Sequence, residues 1–197
     1  MGNLCLMLTY RIIPYKEEAK EGERFSATYL PAPEGRGRID NPRRYRAWYL
    51  AREPSAAVAE IFGQWPTWNS EMFKFGTSGA DYRGATRSLV TFRLPDDLPV
   101  LDLDQAFALH ERGMKPTSVI ERNRPATQSW ALRIFNETNH AGDRLWSGVQ
   151  WWSFHRPHWR ILGLWDINPI PISVEALSVN HPAVIDAADA LDKLLES

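Results

Sequence analysis

Cysteine is nearly absent from this chain: Cys5 stands alone among 197 residues. A single thiol excludes an internal disulfide and suits a reducing compartment. Net charge is missing too, at -1 with 23 basic and 24 acidic side chains, so nothing offers an electrostatic footprint to a nucleic-acid duplex. No apolar run approaches the ~20 residues that a membrane-spanning helix needs. The opening residues lack the basic start and cleavage site of a signal peptide. Met1-Gly2-Asn3-Leu4-Cys5 is followed by Leu6, where an acylation motif needs Ser or Thr. The expectation is a cytoplasmic protein that contacts neither membrane nor nucleic acid directly.

Several chemical signatures are also lacking. There is no glycine-rich phosphate loop, and Gly35-Arg36-Gly37-Arg38 is too short for a dinucleotide fingerprint. His155 and His158 have no cysteine or carboxylate at ligand spacing, so no metal site is expected. Ser153 lies near His155 but lacks the strained, glycine-flanked turn of a hydrolytic serine.

What is present is an ordinary globular composition, 44% hydrophobic and 24% charged. Such a length forms one domain, 1–197, able to withdraw ~70% of the unfolded surface from water. Residues 6–13 read as a first strand, 15–24 as a charged turn, and 25–34 as a short strand followed by a proline-rich connection. An arginine within the first strand, Arg11, belongs either at a sheet edge or in a polar pocket. The rarity of buried unpaired charge favours the edge.

Residues 64–87 show no sustained period and read as a long loop or insertion, a common place for a lid. Strands are expected at 88–94, 99–103, 147–152, 159–165 and 170–177. One helix is capped by Asp104 and runs to Arg112. A second spans Pro125 to Thr138, burying Trp130, Ala131, Ile134 and Phe135. A third spans Pro182 to Leu195 with Val184, Ala188, Leu191 and Leu195 inward. Without strict alternation of strand and helix, the fold class is α+β, with mixed or antiparallel sheets and flanking helices. Five tryptophans between 146 and 165 are core and rim aromatics, or else a glycan-binding platform.

The stretch from Gly35 to Glu60 organises the rest. Six arginines (36, 38, 43, 44, 46 and 52) surround a short aromatic strand, 46–51. Pro54 then opens a helix to about Phe62 with Ala57, Val58, Ile61 and Phe62 as its apolar face. Glu60 falls between those positions, so its carboxylate sits at the edge of the buried stripe or finds a partner. The bland reading is an Arg38–Glu60 ion pair tying loop to helix.

These motifs, in this order, resemble the RES-domain family, named for an arginine, a glutamate and a serine. Tyr10-Arg11 matches its N-terminal Tyr-Arg pair. Gly37-Arg38-Ile39-Asp40-Asn41-Pro42 is similar to its Gly-Gly-Arg-Trp-Asn-Pro loop, with the asparagine displaced and no tryptophan. Tyr49-Leu50-Ala51 matches its strand, and Ala57 to Glu60 its Ala-x-x-Glu helix. Gly148 to Ser153 is similar to its late Gly-Ile-x-Tyr-x-Ser strand, and Thr127 to Ala131 to the helix before it.

The resemblance implies an ADP-ribosyltransferase-like α+β fold acting on NAD as substrate, with no further cofactor. It implies a toxin of a bacterial toxin–antitoxin pair, partnered by a helix-turn-helix-type antitoxin. Such toxins consume NAD by phosphorolysis, with phosphate as partner, or by hydrolysis, or they transfer ADP-ribose to a protein. It also moves Arg11 from the edge to the pocket.

The residue types suit that chemistry. Breaking the nicotinamide–ribose bond releases a neutral base and needs no general acid, whereas the oxocarbenium-like transition state needs a fixed carboxylate. Glu60 is the candidate. Arg11 and Arg38 would clamp the pyrophosphate, with Asn41 beside them in the NAD site. Tyr49 would pack on the cationic ring, and Ser153 would orient Glu60 or the ribose. The alternative of another class is a non-catalytic binding module built on the aromatic strands from Trp146 to Trp165.

Overall fold

Alternation of side chains along two central strands decides the architecture. The computed structural model describes residues 6–32, 34–75 and 80–196. In chain order it comprises β1 (Leu6–Tyr15), β2 (Ala47–Ala51), α1 (Pro54–Phe62), β3 (Trp68–Asn69), β4 (Thr86–Pro95), β5 (Val100–Asp102) and α2 (Ala106–Glu111). There follow α3 (Pro116–Ile120), α4 (Arg124–Phe135), β6 (Gly148–Trp152), β7 (Arg160–Trp165), β8 (Ile170–Ala176), α5 (Pro182–Ala190) and β9 (Leu195–Glu196). Seven strands form one sheet in the order β5-β6-β7-β2-β1-β4-β8, antiparallel except for β5 with β6. The α+β class read from the sequence is the class observed.

Because successive strand residues face opposite ways, each face of the sheet has its own core. Tyr10, Ile12, Tyr49 and Ala51 face the helices, where Ala57, Val58, Phe62, Trp130, Ile134 and Val184 pack together. Ile13, Trp48, Leu50, Val90, Phe92 and Leu164 form the second core on the other face. That face is covered in part by Ala27 and Leu30. The chain reaches this position through Phe25, which is in the left-handed region at φ 76. The short strand expected within 25–34 is therefore replaced by turns, since a positive φ breaks an extended run.

Other boundaries also differ from expectation. In α1 the buried residues are Ala56 to Ala59 and Phe62, whereas Ile61 is 44% exposed. The helix capped by Asp104 begins instead after Gln105, and the Asp104 carboxylate pairs with Arg160. The second long helix ends at Phe135, which is only half-buried, with Asn136 closing the turn. The last helix stops at Ala190, and Asp192 turns the chain at φ 54. Leu195 thus lies in β9, which pairs in parallel with β3. The 64–87 segment is pinned there, with Trp68 and Met72 fully buried; residues 76–79 of it lie outside the described residues.

One contact in the sheet is unlike the rest. β1 pairs with β4 at ten positions and β2 with β7 at five, but β1 and β2 share a single pair, Tyr10 with Ala51. Beyond that pair the two central strands part, and the gap between them opens the cleft described next.

Candidate active site

The cleft has a volume of about 340 Å³ and is lined by residues from both parting strands, the arginine loop, α1, α4 and the end of β6. Arg11, Arg38, Tyr49 and Glu60 all line it. Ser153 sits just behind, 1% exposed, and its hydroxyl donates to Glu60 Oε1 at 2.6 Å. The backbone N–H of His155 donates to Ser153 Oγ at 3.1 Å, so His155 contributes its main chain to the serine. Glu60 itself is exposed at the edge of the buried helix stripe, with its carboxylate held from one side.

No ion pair joins Arg38 to Glu60 among the described residues. The Arg38 guanidinium instead caps the end of α3, donating to the carbonyls of Val119 (2.5 Å), Glu121 (3.0 Å) and Ile120 (3.4 Å). Cations at a helix C-terminus are favoured by its orphan carbonyls. With five N–H donors on a guanidinium, some remain for a ligand. Burial is the main reason that the Arg38 pKa is lowered; neighbouring Arg124 lowers it further, while Glu60 acts in the opposite sense.

Tyr49 is locked at its hydroxyl. It donates to Asp40 Oδ1 at 2.7 Å and accepts the Ile39 N–H at 3.0 Å. Burial first, and Asp40 second, push its pKa well above the usual phenol range, so it stays neutral. The loop must come very close to make these bonds: a Cβ on Gly37 would meet the Tyr49 hydroxyl oxygen at 2.1 Å. Gly37 is therefore glycine for lack of room.

Asn41 does not reach the cleft. Its amide donates to the Gln128 carbonyl at 3.0 Å and the Tyr45 hydroxyl at 2.8 Å, and it is absent from the lining. Gln128 returns the contact, donating to the carbonyls of Gly35 and Gly37. Asn41 thus fastens the arginine loop to α4, and its assignment to the NAD site is corrected on that ground. Of the tryptophans between 146 and 165, Trp151, Trp159 and Trp165 are buried in the core, which favours the reading of core aromatics over a glycan platform.

Arg11 is not at a sheet edge, since β1 lies between β2 and β4. Its guanidinium stacks 5.1 Å from the Trp48 ring centroid, and its enclosed Nη1 has no hydrogen-bond partner. Burial draws its pKa down to about 10, leaving it charged at neutral pH. Arg124, the first residue of α4, also lines the cleft and has an enclosed Nη1 without a partner. Two guanidinium groups that each enclose a nitrogen without an acceptor are costly unless an anion satisfies them.

A family model described as the RES domain matches residues 9–185. The chain belongs to the RES-domain family. A search of curated proteins returns no significant match. Among solved structures, a chain of the M. tuberculosis MbcT–MbcA toxin–antitoxin complex aligns with a TM-score of 0.53 and 16% identity. The alignment covers 88% of this RES protein and 85% of that chain, a likeness of fold.

Arg124 and Phe154 line the cleft of this RES domain without standing out in its sequence. Arg124 carries a signal, because a cation at a helix N-terminus opposes the helix dipole and calls for another reason to be there. Phe154 is 57% exposed at the cleft rim, and only the fold distinguishes it from the buried aromatics nearby.

Proposed function

We propose that this RES-domain protein consumes NAD by cleaving the nicotinamide–ribose bond, by phosphorolysis or hydrolysis, as the cytoplasmic toxin of a toxin–antitoxin pair. The observation that carries the reading is the Ser153–Glu60 hydrogen bond at 2.6 Å, which fixes a carboxylate in a cleft with three arginines. Glu60 faces the ribose and stabilises the oxocarbenium ion as nicotinamide departs with the bonding electrons. The Tyr49 ring, edge-on to Trp151 at 6.4 Å, offers an aromatic face to the cationic base. Arg11, Arg38 and Arg124 answer the pyrophosphate. The partner that neutralises the toxin is a helix-turn-helix-type antitoxin. The likeness in fold of this RES protein to a chain of a toxin–antitoxin complex supports an antitoxin partner.

The acceptor is identified from the products. Purified protein incubated with NAD, with and without inorganic phosphate, yields nicotinamide plus ADP-ribose 1″-phosphate if phosphate attacks, or free ADP-ribose if water does. ADP-ribose found attached to protein instead establishes a protein ADP-ribosyltransferase. NAD left intact under all conditions refutes the enzymatic reading and leaves a binding module.

A further inference from the structure

Asp40 is an acid enclosed where nothing pairs with its charge. It is 9% exposed and forms no ion pair among the described residues. Its oxygens accept from neutral donors instead: Oδ1 from the Tyr49 hydroxyl at 2.7 Å and Oδ2 from the Gly37 N–H at 2.7 Å. The Asp40 N–H closes the same turn on the Gly37 carbonyl at 3.3 Å. Neutral asparagine or serine also supports such turns. A carboxylate is the costlier choice at a buried position without a cation, so its charge calls for a use.

Tyr49 carries that charge into the cleft. Asp40 is not part of the lining, whereas Tyr49 is. The Ile39 N–H, donating to the Tyr49 oxygen at 3.0 Å, fixes the phenol so that its own proton stays directed at Asp40. Burial keeps that proton on the phenol. A phenol that donates to an anion gains electron density on its oxygen and ring, and the ring face becomes more negative. Such a face discriminates between a cationic ring and a neutral one of the same outline. The discrimination is needed here, because Arg11, Arg38 and Arg124 line the same cleft and by themselves disfavour a cation.

We propose that Asp40, acting through Tyr49, makes the cleft selective for the oxidised, cationic nicotinamide ring over the reduced, neutral one. The assignment rests on the NAD reading for the identity of the ligand. It makes Asp40 a specificity-determining residue rather than a catalytic one. Once the bond to ribose breaks, the departing ring is neutral, so the contact selects the substrate and does not speed its cleavage.

The test is titration calorimetry of the parent, Asp40→Asn, Tyr49→Phe and the double variant with two ligands. One is carba-NAD, cationic and uncleavable because a carbocycle replaces the ribose; the other is NADH, neutral in the same ring. Thermal melting checks that each variant folds, and Tyr49→Phe keeps the aromatic face while removing the link to Asp40. The parent should prefer carba-NAD. Each single variant should lower that preference by about fivefold, ~1 kcal/mol, and the double variant should lower it no further. A merely structural Asp40 would weaken both ligands alike and leave the ratio unchanged, which overturns the proposal. Losses that add in the double variant also overturn it, since Asp40 would then act independently of Tyr49. A parent that binds both ligands equally overturns it while leaving the cleavage reading to the product assay. A parent that binds neither overturns both. The expected pattern in a parent that leaves NAD intact sustains the selectivity and refutes the cleavage reading alone.

Discussion

Replacing Arg11 with methionine should make the protein more stable and less able to bind NAD. The guanidinium lies inside the sheet gap with an enclosed Nη1 that meets no acceptor. Its fall from the ordinary arginine value to about 10 corresponds to roughly 3 kcal/mol of lost solvation. The Trp48 ring at 5.1 Å offsets ~0.5–2 kcal/mol of this. The empty site therefore carries a net cost of ~1–3 kcal/mol, and methionine, unbranched and close in length, removes it without leaving a void. At ~2–4 °C per kcal/mol for a domain of this size, melting should rise by several degrees. NAD or ADP binding should weaken by ~1.5–3 kcal/mol, the range for a hydrogen bond to a charged group. Differential scanning calorimetry and titration on the same two proteins decide the matter. A lower melting temperature with unchanged nucleotide affinity would refute the reasoning, since Arg11 would then be holding the strands together rather than awaiting an anion.

Glu60→Gln keeps an oxygen to accept from Ser153 but removes the charge, so NAD turnover should fall by ~10²–10³ with little change in melting. Turnover within about threefold of the parent, ~0.6 kcal/mol of barrier, ends the catalytic assignment. Arg38→Lys should lower both NAD affinity and stability, because one ammonium cannot reproduce three bonds to the carbonyls ending α3. Melting and affinity that both match the parent would show that the fork is dispensable. Gly37→Ala drives a methyl group into the Tyr49 hydroxyl and should cost ~1–3 kcal/mol as an overpacked site, measurable by urea unfolding. A variant as stable as the parent would mean that the loop is looser than its hydrogen bonds indicate.

How much of this was legible in the sequence depends on whether a feature is local. Pro54 opening α1 and the alternation of β2 are local facts, and both elements lie where they were read. The placement of Arg11, Arg38, Tyr49 and Glu60 around one cleft was reachable only through the family's order of motifs, since spacing alone left an ion pair and a sheet edge as rivals. Asn41 was misassigned because proximity in a motif is not direction: its amide turns inward to Gln128. Phe25 escaped because nothing in its neighbours announces a left-handed phenylalanine. The last helix was extended through Leu195 because the apolar period continues past Ala190, whereas the partner that claims Leu195, Trp68 in β3, is remote in sequence. Arg124 was passed over when the helix start was assigned to the neighbouring Pro125.

The single pair between β1 and β2 divides the sheet into two panels, β5-β6-β7-β2 and β1-β4-β8. Each panel is a continuous ladder internally, so bending concentrates on the seam, which one backbone pair, Tyr10 with Ala51, bridges and which side-chain packing such as Trp48 on Phe92 and Arg11 supports. Seam-facing amides on Ile12 and Tyr49, which alternate with the positions bonded to β4 and β7, thus protect poorly against solvent deuterium when the gap is empty, whereas those within the β1–β4 and β2–β7 ladders stay shielded. A molecule bound in the cleft against both parting strands would act as a spline between the panels, stiffening the sheet from its middle. Occupancy of the site is thereby written into deuterium uptake at a few backbone positions, readable without any turnover at all.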